Sequence, residues 1–202
     1  MKDVKYDSKT STVYNDIFEL PYYKTKNDLQ ELTDYVKFVK GCESLVKKHP
    51  DYDLIVRIIR ETQPRCQVLG NFDRYDVTIE VHHNCLTHFD ICAIITNYLL
   101  NHGETVTTPK VAKLDLAEHK AEHVQLVCLS KTVHQSIDTG KVFINLNQGI
   151  GNINEFIKKY RDGIDDHYKD KINKYIDMSE EFKSTDGKIF DLAEDMIKWN
   201  YR

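Results

Sequence analysis

One short segment switches period. In residues 75–83, YDVTIEVHH, the apolar Val77, Ile79 and Val81 alternate with Asp76, Thr78, Glu80 and His82, whereas the sequence on both sides repeats its apolar residues every three to four positions. A two-residue period belongs to a half-buried strand and a 3.6-residue period to a helix. A chain that passes from one to the other and back combines helices with a small amount of sheet, an α+β fold. The parity of the strand also carries Glu80 and His82 out on its polar face, with His83 pointing to the other side.

The remaining elements follow from spacing and punctuation. Residues 28–49 place Leu29, Leu32, Val36 and Val39 at helical intervals behind Asn27 or Asp28 as a cap, and residues 52–62 carry Leu54, Ile55, Ile58 and Ile59 along one side before Pro64 and Gly70 break the pattern. After the strand, Thr87 with Asp90 three positions on predicts a capped helix with the stripe Ile91, Ile94, Ile95 and Leu99, closed by Gly103. The polar stretch 104–123 reads as a loop or irregular excursion, with His119 and His123 on its solvated surface. Residues 124–129, VQLVCL, read as a second strand, and Ser130 can cap a two-turn helix that ends at Gly140 and sets His134 and Asp138 on one face. KVFINL is strand-like. Two further helices are expected in 153–177, with Phe156, Ile157, Tyr160 and Ile164, and in 187–200, with Phe190, Ala193 and Ile197. The chain divides into an N-terminal helical extension (1–63), a central module (64–145) and a C-terminal helical extension (146–202).

Composition narrows the class. Charged residues make up 30% and Gly plus Pro only 8 and 4 residues of 202, which fits a helix-rich globular chain and excludes a disordered or fibrous one. No stretch approaches the roughly 20 apolar residues of a membrane span, so no membrane partner is expected and the chain is placed in the cytoplasm, that of a host if it is viral. Five scattered cysteines without a Cys-x-x-Cys pair indicate neither a disulfide framework nor a four-cysteine zinc site, in keeping with a reducing compartment. The net charge of −4 gives no global basic footprint.

Two strands followed by a short helix can bring a strand-end His-His doublet against one helix face, and the quoted residues resemble the HNH, or ββα-metal, nucleases, within them the colicin-type DNases. The strand ends Glu80-Val81-His82-His83. Gln125, nine residues before His134, stands at the family's asparagine position, Asp138 at its final histidine, and Gly140-Lys141 at its closing Gly-Lys. Cys66 and Gly70 echo the knuckle that precedes the strand pair, but Leu69, Ser130 and Val133 replace its other cysteines, so a structural zinc is not expected there. The resemblance covers residues 65–142 and departs from the family in the long insert before Gln125 and in the glutamine itself. A phage-encoded HNH-like protein is the nearest kin suggested.

The resemblance implies a ββα-metal module with a helical insert, flanked by helices, that hydrolyses phosphodiesters in DNA, with RNA not separable from DNA. It makes His82, His134 and Asp138 ligands of one divalent cation (Mg2+, Mn2+, Ni2+ or Zn2+) and His83 the general base, since an imidazole takes a proton from water near neutral pH. Glu80 would orient a ligand, and Gln125 would hold the loop. Arg65, Arg74, Lys131 and Lys141 are the basic residues nearest such a site. The rival expectation is an HNH-derived viral scaffold that has lost cleavage and binds a host protein, favoured by the missing asparagine and knuckle cysteines.

Overall fold

The computed structural model describes the backbone of residues 5–7 and 12–14, and residues 23–70, 72–138 and 142–181, side chains included except that of Asp138. The expected helix at 187–200 and the closing Gly140-Lys141 lie outside these residues. Among those described, the elements are strands β1 (Lys5–Asp7), β2 (Thr12–Tyr14), β3 (Ile79–His83) and β4 (Leu126–Ser130). The α-helices are α1 (Leu32–Lys47), α2 (Pro50–Thr62), α3 (His88–Asn101), α4 (Thr108–Lys120), α5 (Lys131–Asp138), α6 (Ile153–Lys159) and α7 (Asp166–Glu181). The fold is α+β and mostly helical, as the change of period predicts.

Helix α3 is the hub. It buries residues on all sides, from His88 through Leu100, because α1, α4 and a 3-10 turn at Arg161–Gly163 pack around it. Its start is fixed as expected: the Thr87 hydroxyl accepts from the Asp90 N–H (3.2 Å) while the Asp90 carboxylate accepts from the Thr87 N–H (2.8 Å). Lys171 of α7 reaches the same carboxylate at 2.5 Å, tying the C-terminal helix to this cap. Thr87→Ala is expected to lower stability by about 1 kcal/mol, read from the urea midpoint; an unchanged midpoint contradicts the cap.

β3 and β4 pair antiparallel in the register Ile79↔Ser130, Glu80↔Leu129, Val81↔Cys128, His82↔Val127 and His83↔Leu126. β4 is buried throughout, which its unbroken apolar run demands. A satellite core of Cys66, Ile79, Val127, Leu129, Val133 and Ile144 lies under this ribbon. The larger core draws on Leu29 and Phe38, on Ile91 to Ile95, and on Ile153, Phe156 and Ile172, so all three segments of the chain contribute to it.

Three local expectations are corrected. Residues 108–120 form α4, capped by Thr107 with Pro109 in its first turn, and are not a loop. KVFINL forms no strand over residues 142–146: the edge of β4 away from β3 is taken by Gln67, whose N–H donates to the Cys128 carbonyl and whose Oε1 accepts from the Cys128 N–H, and by Ile150, which bridges Leu126. The predicted helix over 153–177 breaks at the turn Arg161–Gly163, where Gly163 lies against the backbone of α3.

Candidate functional site

The end of β3 presents two different histidine clusters, one on each face of the ribbon, because adjacent strand residues point in opposite directions. On the outer face α5 packs against β3 and β4. Glu80 and His82 lie on one side of β3, and α5 leaves β4 so that His134 meets both: its Nδ1 is 2.6 Å from Glu80 Oε2, and its ring centroid lies 4.6 Å from that of His82 at 67°. A carboxylate on Nδ1 fixes the ring and its tautomer. Asp138 lies one turn further along α5, at the described end of that helix.

The predicted site is therefore brought together for Glu80, His82 and His134, and divided at His83. His83 points through the ribbon, its Nε2 3.0 Å from Nε2 of His119, and so is not on the face that carries His82 and His134. Gln125 is fully buried; its Nε2 donates to the Leu146 carbonyl (2.8 Å) and its Oε1 accepts from Asn84 Nδ2 (2.8 Å). It clamps the exit of β3 to the 145–148 turn and touches neither histidine cluster. The Cys66 knuckle is closed without metal, by Cys66 and Gly70 backbone hydrogen bonds and by Gln67 on β4 and on the Gln148 carbonyl.

The inner cluster joins three elements: His83 from the end of β3, His88 from the first turn of α3, and Asp115 and His119 from α4. His83 stacks on His88 with centroids 4.8 Å apart and 23° between planes, and Tyr52 of α2 stacks on His88 and meets His119 edge-on. Asp115, fully buried, sets Oδ1 2.8 Å from His119 Nδ1 and Oδ2 3.3 Å from His88 Nε2, and accepts from the Cys92 thiol at 3.2 Å. His119 Nδ1 also faces the Asp115 carbonyl at 3.0 Å. Burial, then the neighbouring imidazoles of His88 and His119, hold His83 well below the ordinary histidine range, leaving it neutral at physiological pH. Burial alone would raise Asp115, but the contacts from His119 and His88 outweigh it and keep the carboxyl ionised.

The expectation that His119 sits on a solvated excursion is corrected: it is 4% exposed, within a helix. Asp115 and His119, four apart and followed by His123, were the available signal. His88 carried no signal, since a histidine after a helix cap has no distinguishing pattern. Arg74 lies with Arg57 and Arg60 along a groove of about 660 Å3 that opens at Thr78 and Ile79, between α2 and the start of β3.

The comparison with protein families supplies the class. Residues 2–201 match the family described as bacteriophage G278-like virion protein, and the chain belongs to that family. The phage origin expected from the sequence is thus shown. No match was found among curated proteins or among solved structures. Among the described residues, no helix is long and apolar enough to cross a membrane.

Proposed function

We propose that this virion protein is a divalent-metal-dependent endonuclease of the HNH type, acting on DNA. The observation that carries the reading is the meeting of His82 and His134 with Glu80 across the β3–α5 junction, from segments far apart in sequence. The donor types suit a cation: two imidazoles lie edge to face, and the Glu80 carboxylate takes Nδ1 of His134. A divalent cation bound there supplies Lewis-acid polarisation of a phosphodiester. His82 and His134 hold it, Glu80 keeps His134 in the coordinating tautomer, and Asp138 is the candidate third ligand from the same helix. His83 faces the opposite side of the ribbon, so the proposal does not use it as general base. Arg57, Arg60 and Arg74, which line one groove together with Asp53 and Glu61, offer positive side chains for a phosphate backbone.

Plasmid nicking with Mg2+, Mn2+, Ni2+ or Zn2+ tests this. The parent is expected to nick with at least one cation, His134→Ala to lose on the order of 100-fold or more, and Glu80→Gln roughly 10-fold to 100-fold. Full activity in His134→Ala, or no nicking by a folded parent with any cation, overturns the proposal.

The second reading is a non-catalytic virion module that engages another protein, of the host or of the particle. Helix α2 favours it: Leu54 (43% exposed) and Ile58 (49% exposed) leave an apolar side of that helix open beside a groove of about 370 Å3. A folded, inactive parent selects this reading.

A further inference from the structure

We infer that His83, His88 and His119 form a metal centre of their own, which takes a zinc-class transition ion and pins α3 and α4 to the end of β3. This centre is on the other face of the ribbon from His82 and His134 and does not depend on the nuclease reading.

The first support is convergence. One nitrogen from each of the three imidazoles lies within 4.8 Å of the others, and the facing Nε2 atoms of His83 and His119 are 3.0 Å apart. Two nitrogens bound tetrahedrally to zinc, at about 2.0–2.1 Å from the ion, lie about 3.3 Å from each other. Little movement separates the two arrangements.

The second support is independent. His88 is 4% exposed, yet among the described residues neither of its ring nitrogens has a hydrogen-bond partner; the Asp115 oxygen at 3.3 Å lies outside hydrogen-bond geometry. A buried imidazole with both nitrogens unsatisfied costs stability unless something coordinates one of them. An ion on one of them removes part of that cost.

Third, Asp115 is placed as an orienting group. Its backbone carbonyl holds Nδ1 of His119, which leaves Nε2 of that ring for an ion, and its carboxylate, 2.8 Å from the same Nδ1, adds one negative charge beside the three imidazoles.

Ligand chemistry selects the ion. Three imidazoles suit Zn2+, Co2+ or Ni2+ and are poor for Mg2+ or Ca2+, which prefer oxygen. Cys92, although it also approaches His88 and Asp115, is assigned as a neutral donor: burial first, and then the adjacent Asp115 charge, oppose its thiolate. His119 also lines the groove beside α2, which gives an ion a route in from solvent.

The test uses the full chain, stripped with a chelator and titrated with Zn2+ by calorimetry, with bound metal counted by elemental analysis. We expect one equivalent at this centre, beside any taken up by His82 and His134, that persists in His82→Gln and His134→Gln and weakens on the order of 100-fold in His83→Gln and His119→Gln. Since those variants lose buried contacts, the parent is also loaded with Co2+. A tetrahedral visible spectrum without a thiolate charge-transfer band is expected whatever the variants do. Absence of a tight equivalent, binding that disappears with His134→Gln, or a thiolate band assigning the ion to Cys92 each overturns the centre. Nicking and this titration are separable: loss of nicking alone leaves the centre standing, and binding that follows His134 removes the centre while leaving the nuclease reading intact.

Discussion

Asp115→Ala should be among the most damaging single substitutions in this protein, with an expected loss of about 3–5 kcal/mol. The carboxylate is fully buried, accepts from the Cys92 thiol, and lies 2.8 Å from His119 Nδ1 and 3.3 Å from His88 Nε2. Removing it leaves the Cys92 thiol without its acceptor, a desolvation cost of about 1–3 kcal/mol, takes the charge away from two buried imidazoles, and opens a cavity between α3 and α4. A domain of ordinary stability has only about 5–15 kcal/mol to lose, so the variant is expected to melt far below the parent or to fold only in part. Asp115→Asn keeps the volume and one acceptor and is expected to lose less. Measured by urea unfolding at neutral pH, a loss below about 0.5 kcal/mol for Asp115→Ala, the scale of an ordinary surface change, would mean that the carboxylate does not hold the cluster together. The same variant reads on the metal centre, because an orienting carboxylate of this kind is worth about 10-fold to 100-fold in affinity.

How legible this was in the sequence depended on how much contrast each element carried. The alternation of Val77, Ile79 and Val81 was readable because one face of β3 is packed and the other carries polar groups, and the same parity places Glu80 and His82 against His134. Helix α3 announced itself through Thr87, Asp90 and Gly103, whose φ of 73° closes it. Helix α4 hid because its inward face is polar. It buries Asp115, Glu118 and His119 along with Val111, Ala112 and Leu116, so its hydrophobic stripe is broken where the functional groups lie. Glu118 belongs to this pattern: it accepts from Tyr160 Oη (3.0 Å), from Lys159 and from His123 (2.7 Å), anchoring α4 to the C-terminal helices.

The site was half legible for a related reason. A motif read along one strand assigns adjacent histidines to one chemistry, while the pleat sends them to opposite faces. His82 found the partner expected of it. His83 found partners in an insert whose fold no local pattern disclosed, and its role changed with them. The tight exit that makes this possible is held by Asn84, which bonds Gln125 through both its backbone N–H and its side-chain amide, and by Cys85 at a φ of 65°, a left-handed conformation uncommon for a side-chain-bearing residue. Gln125 thereby has a geometric role, even though it touches no proposed ligand.

Gly163→Ala is expected to cost about 3 kcal/mol, at the upper end of overpacking effects, although the residue needs no unusual backbone angle. The turn Arg161–Gly163 rests directly on α3, and a Cβ at Gly163 would stand 2.3 Å from the Ile94 carbonyl oxygen, 2.7 Å from the Tyr98 nitrogen and 2.8 Å from the Tyr98 Cβ. The first two atoms are one turn apart on α3, where the Tyr98 N–H donates to the Ile94 carbonyl in the helix ladder, so the added methyl would press on a hydrogen bond in the hub of the fold. Backbone atoms cannot swing aside as a flexible side chain would. The turn would have to lift, pulling on the Gly163 carbonyl that accepts from Asn97 Nδ2 (3.4 Å) and on the Asp162 carbonyl that accepts from Asn101 Nδ2 (2.7 Å). Gly103→Ala is the matched control. It has a left-handed φ of 73° but open space around the missing Cβ, so its expected cost is the conformational one, about 1–2 kcal/mol. Chemical denaturation of the pair should therefore rank Gly163→Ala as the less stable. The reverse order, or equality, would mean that the turn does not lie against α3, and with it would go the explanation of why the C-terminal apolar stripe is split into two helices at this position.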